Sequence, residues 1–239
     1  MKLRWQAIAA DYDGTLANEG RVAKDTLQML QRVRESGRKI VLITGRELES
    51  LQSVFTQLDV FDLIVAENGA LLYHPSTRDE KLLGKILPVA FVERLRQSGA
   101  HPLSVGRGIV ATVRPYEAAV YGAIHDLGLD LQVIFNRESV MTLPVGVDKS
   151  TGFRAAMAEL RLPASRVIGI GDAENDYAFL NLSGFSVAVG NAIPSLKERV
   201  HAVTSGEDRA GVVEILQRLL TNEEFFDVAH PSVSDRFPR

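Results

Sequence analysis

The chain is predicted to be an α/β protein, with a Rossmann-like parallel sheet interrupted by a small inserted α+β domain, and three observations lead there. Short apolar runs at residues 7–10, 40–43 and 63–66 alternate with helix-periodic stretches at 22–36 and 47–58, the rhythm of βαβ units in a parallel sheet. Between residues 75 and 144 the rhythm changes to α-β-β-α-β-β, with hairpin-like strand pairs in place of crossovers. After Lys149 the βα alternation resumes. One core is therefore expected in two pieces, 1–74 and 145–220, around an insertion at 75–144.

Each element has a local reason. In the first helix Leu27, Leu30 and Val33 recur at helical spacing and Gly37 stops the run. Within the insertion, a helix at 89–97 closes at Gly99 and strands follow at 103–105 and 109–113. A helix opened by Pro115 then runs to 127, ahead of strands at 131–135 and 140–143. The second core piece reads as helix 151–160, strand 167–170, helix 175–181, strand 186–189 and helices 194–199 and 211–220. Residues 221–239 show no sustained period and are expected to form a flexible tail.

Composition narrows the function classes. A chain of 239 residues with 46% hydrophobic and 24% charged content is ordinary for a soluble globular protein. No apolar run approaches the roughly 20 residues that span a bilayer, and the four apolar residues before Asp11 are too few for a signal-peptide core; the chain is read as mature, cytoplasmic sequence. The absence of cysteine excludes disulfides, thiolate metal sites and cysteine nucleophiles. A net charge of −3 without a dense Lys/Arg block gives no footprint for nucleic acid.

Four segments carry chemistry. Asp11-Tyr12-Asp13-Gly14-Thr15 follows the run 7–10 directly, so two carboxylates spaced i and i+2 stand where a buried strand breaks into a loop. Alternation along a strand sends both to the same side. One can serve as nucleophile or metal ligand while the other handles a proton, although a turn explains the same residues more plainly. Thr44-Gly45-Arg46 places a hydroxyl, a permissive turn and a cation at the carboxyl end of a second strand, the edge where parallel sheets bind ligands; Thr44 with Glu47 also fits a capping box. Lys149 opens a helix, where the dipole disfavours a cation, so if held inward it meets an anion; exposure to solvent is the alternative. Gly171-Asp172-Ala173-Glu174-Asn175-Asp176 gathers two carboxylates and an amide at another strand end. Oxygens of that kind suit a hard ion such as Mg²⁺, and helix capping accounts for only one of the two.

In these four segments, in this order, the chain resembles the haloacid dehalogenase superfamily of phosphotransferases. The position and content of the insertion, together with Glu67-Asn68-Gly69-Ala70 and Val189-Gly190-Asn191-Ala192, are similar to its Cof-like subfamily IIB, in which the insertion is a cap over the active site. The resemblance implies that Asp11 attacks phosphorus to give an aspartyl-phosphate, and that Asp13 protonates the leaving alkoxide and then activates water. It implies Mg²⁺ held by Asp11, the Asp13 carbonyl and Asp172, with Asp176 in support. Thr44 and Lys149, with Gly45 and Arg46 beside them, are expected to hold the phosphoryl group, and Asn175 to orient it. The implied activity is a Mg²⁺-dependent phosphatase for a small phosphorylated metabolite, such as a sugar phosphate or a phosphoglycolate-like acid. A phosphomutase or phosphotransferase is the alternative, and a receiver-like signalling domain a remote one. Arg107, Arg114, His125 and Arg137 of the insertion are each expected at the solvent surface, although any of them could face the site.

Overall fold

The computed structural model describes residues 3–227. In the first core piece β1 (Ala7–Ala10) is followed by a small hairpin, β2 (Ala17–Asn18) and β3 (Arg21–Val22), and then by α1 (Lys24–Glu35), β4 (Lys39–Ile43), α2 (Leu48–Val54) and β5 (Leu63–Ala66). A second hairpin, β6 (Leu71–His74) and β7 (Asp79–Leu82), precedes the inserted unit. That unit comprises α3 (Val89–Gln97), β8 (Ser104–Val105), β9 (Val110–Val113), α4 (Glu117–Asp126), β10 (Leu131–Asn136) and β11 (Ser139–Pro144). The chain returns through α5 (Lys149–Leu160), β12 (Val167–Gly171), α6 (Tyr177–Leu180), β13 (Phe185–Ala188), α7 (Pro194–Lys197), β14 (Ala202–Val203) and α8 (Asp208–Thr221).

The large sheet has the order β14-β13-β12-β1-β4-β5-β6-β7, parallel from β14 to β5 and antiparallel over the last two strands. Its strands alternate between two buried faces. Ile8, Ala10, Ile40, Leu42, Ile168 and Ile170 pack with residues of α1 and α8, whereas Ala7, Ala9, Val41, Ile43, Val65 and Val167 pack with α5 and α6. Burial on both faces is why these strands read as continuous apolar runs. Among the described residues no helix is long and apolar enough to cross a membrane.

Residues 79–82, expected in the insertion, form the outer strand of the large sheet instead. The sequence Asp79-Glu80-Lys81-Leu82 is mostly exposed, and an edge strand of that polarity lacks the apolar pattern that marks the others. Residues 22 and 23 belong to β3 and the α1 N-cap. At the other end, residues 223–227 turn back onto the core: Phe226 is buried against Trp5 and Phe185, and Glu223 accepts from the Trp5 amide and from Arg38. Residues 228–239 of the expected tail lie outside the described residues.

The smaller sheet is antiparallel, in the order β10-β11-β9-β8, and α3 and α4 cover one face through Phe91, Leu95, Val120 and Ala123 against Val110 and Val140. It meets the core along an apolar seam of Ala70, Ile109, Met141, Leu143 and Val147. A polar clasp closes the seam. The buried Glu67 carboxylate accepts from the backbone amides of Arg107 (3.0 Å) and Gly108 (2.7 Å) in the β8–β9 turn. The Arg107 guanidinium bridges Glu80 of β7 and Glu49 of α2.

The helix that carries Lys149 is seated by a missing side chain. A Cβ on Gly152 would lie 2.1 Å from Val65 Cγ1 and 3.1 Å from the Gly69 Cα, so only glycine lets α5 approach β5 this closely. Gly152→Ala should therefore lower stability by about 1–3 kcal/mol through overpacking, read as a lower urea midpoint with an unchanged slope. An unchanged midpoint would contradict the close approach.

Candidate active site

Strand order assembles the site. β12, β1 and β4 are neighbours in register, so the residues that follow their carboxyl ends, Asp172, Asp11 and Thr44, stand side by side although they are far apart in sequence. Lys149 enters from the first turn of α5. That helix is fixed by a capping box in which the Asp148 carboxylate accepts from the Ser150 and Thr151 amides and Thr151 Oγ1 accepts from the Asp148 amide.

The Lys149 side chain is buried and its Nζ lies 2.5 Å from both Asp11 Oδ1 and Asp176 Oδ1. Burial alone would push this ammonium down, but Asp11 and Asp176 outweigh it and hold it above the ordinary lysine range. Asp176 uses its other oxygen to accept from the amides of Asp172 (2.8 Å) and Ala173 (2.9 Å), which fixes the loop after β12. Asp172 accepts from Thr15 Oγ1 at 2.9 Å and from Arg137 Nη2 at 2.6 Å. A Cβ on Gly14, whose φ is +81°, would lie 2.5 Å from Asp172 Oδ2. The glycine of the first segment is thus demanded both by its backbone and by the neighbouring carboxylate.

Asp11 and Asp13 do not face the same way. β1 ends at Ala10, so strand alternation no longer governs the pair. Asp11 turns inward to Lys149, whereas Asp13 is 45% exposed and is gripped by Arg46 through two contacts of 2.6 Å, Nε to Oδ2 and Nη2 to Oδ1. The Asp13 side chain therefore stands apart from the three carboxylates that gather, Asp11, Asp172 and Asp176, whose oxygens lie within 4.8 Å of one another.

That trio fits a divalent cation. All three are buried, and they offer hard oxygen donors. Burial, and then the charge of Asp176, raises the Asp11 carboxyl well above its usual value and pushes that of Asp172 up to about 6. Three carboxylates face two cationic side chains, Lys149 and Arg137, and a divalent cation supplies the positive charge that crowded carboxylates require to stay ionised.

Thr44 does not cap the following helix. The N-cap of α2 is Glu47, without a side-chain bond; the buried Thr44 Oγ1 accepts instead from the Arg46 amide at 3.1 Å, inside the site. Gly45 and Arg46 line a cavity of about 240 Å³ with Asp11 and Asp13, roofed by Ser104, Asn136 and Met141 of the inserted unit. Asn175 donates to Asn68 Oδ1 at 2.9 Å, and the remaining Asn175 Oδ1 and Asn68 Nδ2 are buried and find no partner among the described residues.

Asn68 carried no role in the sequence; its left-handed φ of 51° next to Gly69 is the signal that marks it. Arg137, expected at the surface with the site as the alternative, meets both readings: it is 57% exposed and reaches Asp172 from the β10–β11 turn. Arg107 belongs to the clasp, Arg114 lies over the Phe135 ring, and His125 is 90% exposed.

With this geometry in place, comparison with known proteins gives a consistent picture. The haloacid dehalogenase-like hydrolase family matches residues 8–98 and 125–216. A phosphoglycolate phosphatase 2 of Saccharolobus solfataricus is 33% identical over 90% of this chain and 92% of its own length. A phosphoglycolate phosphatase of Methanothermobacter thermautotrophicus is 28% identical over 90% and 99%. In fold, the chain superposes on a haloacid dehalogenase-like hydrolase from Bacteroides thetaiotaomicron with a TM-score of 0.75 at 19% identity, covering 90% of this chain and 99% of that one. Strand order, the Asp-Lys-Asp centre and these matches converge: the chain belongs to the haloacid dehalogenase-like hydrolases, as a Cof-like phosphatase of that superfamily.

Proposed function

We propose that the protein is a Mg²⁺-dependent phosphatase that hydrolyses a small phosphorylated metabolite through an aspartyl-phosphate on Asp11, with the inserted unit acting as a cap. The observation that carries the reading is Asp11 at the end of β1, which lines the cavity, is in contact with the buried Lys149 and stands beside two further carboxylates. The relatives' names support a short phosphorylated acid as the substrate class.

In this reading an Asp11 carboxylate oxygen forms the bond to phosphorus while the ester P–O bond breaks, and the leaving oxygen takes a proton from Asp13. Water then attacks the phosphoryl group and gives its proton to Asp13, and the bond to Asp11 breaks to release phosphate. Because Arg46 grips Asp13 with two hydrogen bonds, the acid half of the cycle requires Asp13 to exchange at least one of them for the leaving oxygen. Lys149 and the Thr44 hydroxyl proton are the donors to phosphoryl oxygens, and Asn175, aligned by Asn68, completes the cradle. Asp11 and Asp172, with the Asp13 carbonyl and support from Asp176, would hold the Mg²⁺, which when bound neutralises phosphoryl and carboxylate charge. Release of free phosphate, in preference to transfer to a second sugar hydroxyl, separates this function from a mutase.

Asp11→Asn keeps the shape and removes the attacking charge. Turnover of an aryl phosphate should fall by about a thousandfold or more in a folded protein, and retention of a tenth of wild-type activity would sink the covalent step. Chelation should abolish turnover and Mg²⁺ restore it, with Ca²⁺ a poor substitute because its looser coordination misplaces the nucleophile.

A pH experiment tests the ion separately from turnover. The Asp172 carboxyl rises from 3.8 to about 6 on folding, so the folded chain holds the extra proton. The stability this group contributes is present below its unfolded value and is lost as pH rises through about 6. Mg²⁺ should therefore raise the melting temperature at about pH 7.5 and add little near pH 4, and Asp172→Asn should erase that difference. Equal increments at both pH values in calorimetry would contradict the assignment.

A further inference from the structure

We propose that Arg137, at the tip of the β10–β11 hairpin, is the specificity-determining residue of this site, and that it selects phosphate esters of short-chain acids by pairing with the substrate's carboxylate. The proposal rests on the phosphatase reading above and names the substrate class within it.

Placement comes first. Asn136 and Ser139 are paired across the hairpin and line the cavity, which puts Arg137, in the turn between them, at the cavity's edge. Its φ of 52° is in the left-handed region, where glycine or asparagine sits at lower cost. A bulky residue held there points to a use for its side chain. That side chain crosses from the inserted unit to the core and ends 2.6 Å from Asp172 Oδ2, so its reach to the floor of the site and its fit to a carboxylate are both visible.

Charge accounting comes second. A phosphorylated acid brings two anionic groups, and the core cations are already engaged, Lys149 by Asp11 and Asp176 and Arg46 by both oxygens of Asp13. The inserted unit's other basic candidates are turned elsewhere: Arg107 is spent on Glu80 and Glu49, Arg114 stands beside Glu117, and the His125 side chain is out in solvent. Arg137 is 57% exposed, and among the described residues it uses only Nη2, so most of its guanidinium remains to grip a second group. Asp172 belongs to the trio that would hold the divalent cation, and with positive charge supplied there Asp172 would no longer depend on Arg137 for its balance. The guanidinium is then released to the ligand, and a planar fork matches a carboxylate better than it matches a sugar hydroxyl.

Binding, not turnover, tests this. Calorimetry in Mg²⁺ should show wild-type protein binding phosphonopropionate, which carries the carboxylate, about 10- to 100-fold more tightly than propylphosphonate, which lacks it, the increment of a charged hydrogen-bonded pair. Arg137→Gln should erase that preference, so that the two ligands bind within about 2-fold of each other, and Arg137→Lys should recover part of it. Equal weakening of both ligands in Arg137→Gln, an unaltered preference, or no wild-type preference would each overturn the proposal. A wild-type protein that shows the preference yet releases no phosphate from phosphorylated short-chain acids or from an aryl phosphate would overturn the phosphatase reading and leave the role of Arg137 standing.

Discussion

Burying the ammonium of Lys149 between Asp11 and Asp176 is the constraint around which the rest of the molecule is arranged. An isolated ammonium taken out of water costs several kcal/mol, and an isolated carboxylate costs as much. Placed together with short contacts, the groups offset one another and become a rigid polar floor at the carboxyl edge of a sheet whose two faces are apolar. The geometry must be tight for this to succeed, because a buried charge left without its partner destabilises more than the pair ever stabilised. The Gly152 face of α5, the capping box at its first turn and the close approach of Gly14 all serve that tightness.

Asp176 shows how one residue carries two duties. One oxygen meets Lys149 and the other fixes the amides of Asp172 and Ala173, so the loop that presents Asp172 is set by the same side chain that balances the lysine. Thr15 then orients Asp172 from the opposite loop. The floor is therefore a closed ring of contacts among three chain segments. Pre-organisation of this kind suits phosphoryl transfer, which asks mainly for fixed positions and opposed charge.

Much of this was legible in the sequence because it depends on short-range pattern. The apolar runs marked β1, β4, β5, β12 and β13, and the residues after β1, β4 and β12 announced polar groups at one sheet edge. What escaped depends on tertiary context. The strand of residues 79–82 is polar because it lies at an edge, and residues 223–227 form a 3-10 helix of 5 residues, too short to show a period, whose Phe226 packs edge-on against Trp5 and Phe185. Glu67, Asn68 and Arg137 look like loop residues, since nothing local reveals that their partners are 107 and 108, 175 and 172. The divergence of Asp11 and Asp13 was hidden for a related reason: the alternation rule holds within a strand, and this strand stops one residue too soon.

The capping box at Asp148 also has a mechanical meaning. The outgoing and returning connections to the smaller sheet run side by side, with Gly84 packed close to Pro144 and Val147, and the returning one enters α5 immediately before Lys149. Any swing of the smaller sheet is therefore applied to the chain almost at the lysine. Thr151 Oγ1 donates to the Gly146 carbonyl and accepts from the Asp148 amide, and Asp148 in turn grips the Ser150 and Thr151 amides. Together they brace the base of the returning connection, so the backbone is tied by hydrogen bonds from residue 146 into the first turn of α5, directly beside the ammonium.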